Sequence, residues 1–193
     1  MRWQNLFDDL ESQLDAELGA EEVDLLAEEE RLRVGRLTLR DRLRALPRDA
    51  GPVGLTLRGG FRVRVALAAI GRDWLAGEAE AGLRTSVVIP LAAITGVEPT
   101  GAQLGMTLRA DPAPEAPASL SARLGLAFVL RDLCRRRVAV EVLVGGEALH
   151  GTLDRVGRDH LDLAEHATGE PRRTTAVARI RLLAFGAIDL VRF

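Results

Sequence analysis

The sequence predicts an α+β, mainly β chain: two five-stranded small barrels, each preceded by a helix, with a helical arm at the N-terminus. Three observations carry this. Residues 138–163 read as strand, Gly-Gly turn, bent strand, Gly-Arg-Asp turn and strand. A fainter copy occupies residues 53–77, with Gly59-Gly60 recurring as Gly145-Gly146 and Gly71-Arg72-Asp73 as Gly157-Arg158-Asp159, both 86 residues on. Residues 91–97 then match 185–191 at an offset of 94, so the second copy carries eight more residues, read as a longer hairpin through Gly169, Arg172 and Arg173.

In chain order, residues 3–18 form the first helix, because Trp3, Leu6, Phe7, Leu10, Leu14 and Leu18 recur at three- and four-residue steps. A second helix runs from about residue 20 to 34, with acids early and arginines late, as the helix dipole favours. Its apolar stripe (Val23, Leu26, Ala27) is thin, and Gly35 fits a C-cap. Thr38-Leu39-Arg40-Asp41 fits a capping pattern for a helix that buries Leu39, Leu43 and Leu46 and ends before Pro47.

The first β unit takes strands near 53–58, 61–68, 74–77, 85–89 and 94–97. Residues 101–117 read as a loop, since the run Ala110-Asp111-Pro112-Ala113-Pro114 sustains neither helix nor ladder. Ser119 then caps a helix over 120–136 whose core face is Leu124, Ala127, Phe128, Leu130 and Leu133. The second β unit closes with strands near 179–183 and 188–191. Gly151 permits the sharp bend that closes a small barrel, whereas the first unit has Val65 there and must bend elsewhere. The first strands of the two units also disagree in phase by one residue, which requires a bulge or a gap. The domain organisation is therefore an acidic arm over 1–36, helix plus first barrel over 37–100, a Pro/Ala linker over 101–118, and helix plus second barrel over 119–193.

With 193 residues and 47% hydrophobic content, two small cores are affordable. No apolar run approaches the ~20 residues that span a bilayer, and the acidic, amphipathic start is not a secretory signal, so a cytoplasmic location is expected. The lone Cys134 excludes an internal disulfide framework and reads as a small buried helix residue. Every basic residue is arginine and there is no Lys or Tyr, which points to codon bias in a GC-rich bacterial genome. The net charge of −2 gives no global attraction to nucleic acid, although acids cluster over 8–30 and arginines over 31–48.

Val138, Val140, Val142, Gly146, Gly151, Leu153, Val156, Leu161 and Leu163 resemble the first motif of Sm-like small barrels, and a generic SH3-like barrel fits the strand pattern too. The resemblance covers about 55 residues of the second unit and the first unit faintly. It implies a small-barrel fold, edge-to-edge association and RNA binding. Where that family has a base-holding Asn, this chain has His160, and Trp74 in the first unit; of its second motif only Gly186 is kept.

No catalytic constellation stands out: GxSxG, GxxxxGK[ST], HExxH and CxxC are all missing, and the Gly-Gly pairs belong to turns. His150, Asp159, His160, Asp162, Glu165 and His166 fall in one stretch, but a polar face on a half-buried strand explains them without a metal. No enzyme activity, cofactor, metal or small-molecule substrate is expected. Two binding surfaces are. Trp3, Leu6, Phe7, Leu10 and Leu14 form a helix face suited to a protein partner or to self-association. The alternative is RNA or DNA on the basic segment 31–48 and on Arg131, Arg135, Arg136, Arg137, Arg172 and Arg173, with His160 or Trp74 stacking on bases.

Overall fold

The computed structural model describes residues 22–81, 83–110, 123–169 and 177–193. The strands are β1 (Val53–Leu57), β2 (Arg62–Ile70), β3 (Trp74–Ala81), β4 (Leu83–Pro90), β5 (Ile94–Glu98), β6 (Ala139–Val144), β7 (Glu147–Val156), β8 (His160–Glu165), β9 (Arg179–Ala184) and β10 (Ile188–Arg192). They make one ten-stranded antiparallel sheet in the order β5-β1-β2-β3-β4-β10-β6-β7-β8-β9. The two closed five-stranded barrels expected from the sequence are not formed. To close, the first half would have to pair β4 with β5, but β4 pairs instead with β10, through Val88 opposite Val191 and Val87 opposite Arg192. The sheet is open, and its end strands β5 and β9 are each paired on one side only among the described residues.

Each half nonetheless uses the same strand order, and the matching turns share their backbone. Gly59, Gly60, Gly145 and Gly146 all have positive φ (71°, 80°, 57° and 87°), where a Cβ would be strained. The Gly71 amide donates to the Trp74 carbonyl at 2.8 Å and the Gly157 amide to the His160 carbonyl at 2.8 Å. The Leu91 amide donates to Asp73 O at 2.9 Å, and the Phe185 amide to Asp159 O at 2.8 Å. Register shifts fall at equivalent places too, between Leu67 and Ala69 and between Leu153 and Arg155.

The phase conflict in the first strands is a gap. Val53 lies opposite Val65 and Val140 opposite Gly151, so β1 and β6 correspond at an offset of 87, one more than the turns that follow. The first turn has three residues, Arg58–Gly60, and the second has two between Val144 and Glu147. Arg58 is the additional residue. The missing bend in the first half also has a source. Gly77 in β3 lies against the Ala66 carbonyl, as Gly151 in β7 lies against the Ala164 carbonyl. The same close approach is made from the opposite strand of the pair.

Among the described residues four helices flank the sheet: α1 over 22–35, α2 (Leu39–Arg44), α3 (Gly101–Leu108) and α4 (Leu126–Arg135). Residues 101–108, expected as loop, are helical because Thr100 and Gln103 form a reciprocal capping box, and the buried Gln103 amide donates to Ala50 O at 3.0 Å. The helix expected from residue 120 instead starts its continuous run at Leu126, and Ser119 lies outside the described residues. Asp73 supplies the cap: its Oδ1 accepts from the Leu126 amide at 2.7 Å. Phe128, expected in the core, is exposed, while Leu126, Leu130 and Leu133 are buried.

The capping box of α2 is present as expected, with the Thr38 hydroxyl accepting from the Asp41 amide at 3.1 Å. The hydrogen bond from the Thr38 hydroxyl, helped by its amide, holds the Asp41 carboxyl below the usual carboxylate range. Thr38→Ala is expected to cost about 1 kcal/mol. Because the folded pKa is depressed, the part of this contribution made by the bonds to the Asp41 carboxylate is present above the unfolded pKa and lost as pH falls through the folded one, while the Asp41 amide bond to the Thr38 hydroxyl does not titrate. Urea midpoints of T38A and the parent should therefore differ most at neutral pH, and the gap should narrow in acid.

The core has two clusters that interlock across the middle of the sheet. Trp74 and Val88 of the first half pack with Leu126, Leu130, Val140, Val142, Leu153 and Leu163. Leu143 and Leu190 of the second half pack with Leu43, Val53, Leu55, Val65 and Leu75. Each half lends residues to the other's core.

Candidate functional site: the central joint and the open sheet edges

The joint is fastened by the residue that the first turn has in excess. Arg58 Nε donates to Asp189 Oδ1 at 2.9 Å, and its terminal nitrogens donate to Ile188 O at 2.7 Å and to Gly186 O. The Asp189 side chain is 2% exposed and its second oxygen accepts from the Gly145 amide at 2.8 Å. The carboxylate is thus buried with a charged partner and a backbone donor, the arrangement that makes such burial tolerable. Thr95, the counterpart of Asp189 in the first half, instead gives its hydroxyl to Thr56 O and Leu57 O.

At the open edge, β9 pairs with β8 from His160 opposite Ala184 to Glu165 opposite Arg179. Its outer backbone edge is unpaired among the described residues, and Ile180 and Leu182 are 56% and 69% exposed. Arg181 on the same strand sits 2.9 Å from Glu147 and 2.7 Å from Glu165. The hydrogen bond that Arg181 donates to Glu147 holds its guanidinium above the ordinary range and the Glu147 carboxyl below its own. The opposite edge, β5, ends in exposed Glu98, whose carboxylate lies 3.9 Å from Arg62.

A cleft of about 370 Å³ opens where β4, β10, β6 and β7 meet, lined by Thr85, Glu141, His150, Gly151, His166, Arg192 and Phe193 among others. Its charges are largely paired, although the buried Arg192 Nε has no hydrogen-bond partner among the described residues. Glu141 lies 2.5 Å from Arg192 and 3.5 Å from His150, and Arg192 also stands 5.4 Å over the Phe61 ring. His166, buried, meets the Thr152 hydroxyl at 2.9 Å through Nε2 and Ala167 O at 3.1 Å through Nδ1. Because a carbonyl only accepts, Nδ1 donates to Ala167 O, and Nε2 shares its bond with the Thr152 hydroxyl. Thr152 and His166 are a hydroxyl–imidazole pair by distance, but both are under a tenth exposed and, among the described residues, Nδ1 is oriented by the Ala167 carbonyl and not by a carboxylate.

The other residues singled out by sequence are dispersed. Trp74 is 5% exposed and its indole N–H donates to Leu124 O at 2.9 Å, so the ring is spent on seating α4. His160 is its counterpart in the second half, exposed, with Nδ1 2.8 Å from Asp159, whose carboxyl that contact lowers. Asp132 lies 2.5 Å from Arg135 and 3.5 Å from Arg136, while Arg137 pairs with Asp154 at 3.2 Å. Arg131 donates to Gly157 O at 2.8 Å. Trp3, Leu6, Phe7, Leu10, Leu14, Arg172 and Arg173 lie outside the described residues. Among the described residues, no three of His, Cys, Asp and Glu stand close enough to hold a metal, and no helix is long and apolar enough to cross a membrane. Sequence reasoning missed Arg58, Leu182 and Asp189. The phase conflict between the first strands was the signal for Arg58; Leu182 and Asp189 carried none. Comparisons with protein-family models, with curated proteins and with solved structures give no match to this chain.

Proposed function

We propose that this chain is a non-catalytic assembly module of the bacterial cytoplasm, which joins a protein partner along the open edges of its sheet. The observation that carries the reading is β9: an end strand with one side unpaired among the described residues, whose Ile180 and Leu182 are 56% and 69% exposed. Edge strands normally carry charges, prolines or covers that prevent pairing. Here the strand's two arginines, Arg179 and Arg181, are ion-paired to Glu165 and Glu147, and two large apolar side chains alternate with them, which suits strand addition with side-chain anchoring. The mutual pairing of Arg135, Arg136 and Arg137 with Asp132 and Asp154 favours this reading over phosphate binding by that cluster. An Sm-like or SH3-like ancestry is a separate proposal about origin, on which assembly does not depend.

The test is a photo-reactive residue placed at position 182 in the producing cell, with the exposed position 136 as control. Protein adducts are expected at 182 well above those at 136. Equal yields at the two positions overturn the reading. So does loss of the adducts on nuclease treatment, which would assign the edge to nucleic acid instead.

A further inference from the structure

The turn at residues 71–74 is where the first half receives a helix of the second. The Arg72 amide and the Trp74 indole N–H both donate to Leu124 O, at 3.1 and 2.9 Å, and Asp73 Oδ1 accepts from the Leu126 amide at 2.7 Å. These bonds hold the groups on either side of the N-cap Gly125, where a Cβ would lie 2.6 Å from an Arg72 nitrogen. The turn at residues 157–160 is built alike. Beyond the backbone bonds that the two turns share, each takes an arginine from the helix of its own half: Arg40 donates to Gly71 O and Arg131 to Gly157 O, both at 2.8 Å. Each ring also lies on the glycine of its turn, since a Cβ at Gly71 would strike Trp74 Nε1 and one at Gly157 would lie 2.6 Å from His160 Cε1. We propose that the turn at 157–160 receives the N-terminus of a helix from another protein, by the bonds with which residues 71–74 receive α4.

Exposure separates the two turns. The Asp73 side chain is 50% exposed and Trp74 5%, whereas the side chains of Asp159 and His160 are 86% and 49% exposed. The bond from His160 lowers the Asp159 carboxyl, which suits a carboxylate that caps a helix N-terminus. His160 Nδ1 donates to Oδ1 of that carboxylate, which leaves Oδ2 for an incoming amide. Nε2 then takes the place of the indole nitrogen, and it donates to an incoming carbonyl only when the ring is protonated. The exposed Arg158 supplies the amide that matches Arg72. Beside the turn, Leu182 stands where its counterpart Val88, 94 residues earlier, shares a core cluster with Leu126 of α4.

The chain's own helices show why the occupant is a different protein. α2 and α3 close their N-termini with reciprocal capping boxes, and α4 is capped by Asp73, so a second copy offers none of these three ends. The internal example also defines the partner's chemistry: an extended residue with a free carbonyl, glycine at the N-cap and an apolar first helical residue, as in Leu124-Gly125-Leu126. Such a seat requires no strand on β9 and is independent of the edge reading above.

The probe is an N-acetylated peptide copying residues 123–136, with Cys134→Ser against oxidation, titrated into the isotope-labelled full-length chain and followed by amide NMR. The amides of Arg158, Asp159 and His160 should shift saturably, with a Kd of about 1 mM or tighter. Asp159→Ala should weaken binding about fivefold or more, through loss of one hydrogen bond to a charged group. His160→Trp supplies the indole donor and should tighten it. Both positions are exposed, so the fold should tolerate either change. No saturable shift at these amides overturns the proposal, as does a Kd that D159A leaves unchanged or that H160W fails to tighten. Shifts confined to residues 71–74 overturn it too, because the peptide would then be displacing α4. Protein adducts at position 182 without peptide binding would leave the edge reading standing and this one overturned, and peptide binding without such adducts would do the reverse.

Discussion

Gly151→Ala should cost about 3 kcal/mol, the upper end of what overpacking a close contact exacts, although it adds one methyl group. The added Cβ would run into the Ala164 carbonyl oxygen and lie 2.9 Å from the Ala164 carbonyl carbon and 3.1 Å from Glu165 Cα. All three are backbone atoms of β8, so no side chain can swing away and the strands must separate. Separation there would break the ladder between Gly151 opposite Glu165 and Leu153 opposite Leu163, next to the fully buried Leu153 and Leu163. Gly77→Ala should do the same to the first half, where the obstacle is the Ala66 carbonyl. Gly96→Ala is the control, because its Cβ would meet Thr56 Cβ at 3.6 Å and Thr56 Oγ1 at 3.9 Å, both ordinary contacts. It should shift stability by no more than about 0.5 kcal/mol. Urea midpoints of the three variants decide the matter. A G151A midpoint indistinguishable from that of G96A would mean that β7 and β8 are not held this closely.

The same two glycines illustrate what the sequence disclosed and what it withheld. Turns were legible because their requirements are local. Gly59-Gly60 and Gly145-Gly146 need positive φ wherever the rest of the chain goes. Gly71-Arg72-Asp73 and Gly157-Arg158-Asp159 close the same bonds in both halves. Bends made by close strand approach were half legible: Gly151 was found, but Gly77 compensates for Val65 from the neighbouring strand, and pairing partners are not local information. Closure failed for that reason. Residues 85–89 and 179–183 both read as strands, yet one is central and the other an edge. An apolar residue such as Val88 or Leu182 looks the same in sequence whether it is 1% or 69% exposed. The helix at Gly101–Leu108 was hidden by Gly101 and Gly105, which weaken helix propensity, although Thr100 and Gln103 spelled its cap. The candidate site was the least legible part, because it lies where strands from the two halves meet or end.

Arg58→Ala should be the most damaging polar substitution among the described residues, at about 3 kcal/mol for removing one partner of a buried ion pair. The two ends of this pair are unequal. Arg58 is 36% exposed at its side chain and Asp189 2%, so loss of the arginine strands a carboxylate inside the joint, whereas loss of the aspartate leaves a guanidinium that can turn to water. Asp189→Ala should accordingly cost less than R58A, even though it also deprives the Gly145 amide of its acceptor. Removing both should cost clearly less than the two single effects combined, with a coupling of about 1 kcal/mol or more. Arg58 also grips Ile188 O at the start of β10, the strand that carries Leu190 into the first half's core. Without that grip the interlocked cores lose their cooperativity, and the urea transition of R58A should broaden or split as the halves unfold separately. Additive single and double variants with an unchanged slope would show instead that the apolar interlock of Leu143, Leu190, Trp74 and Val88 holds the joint alone.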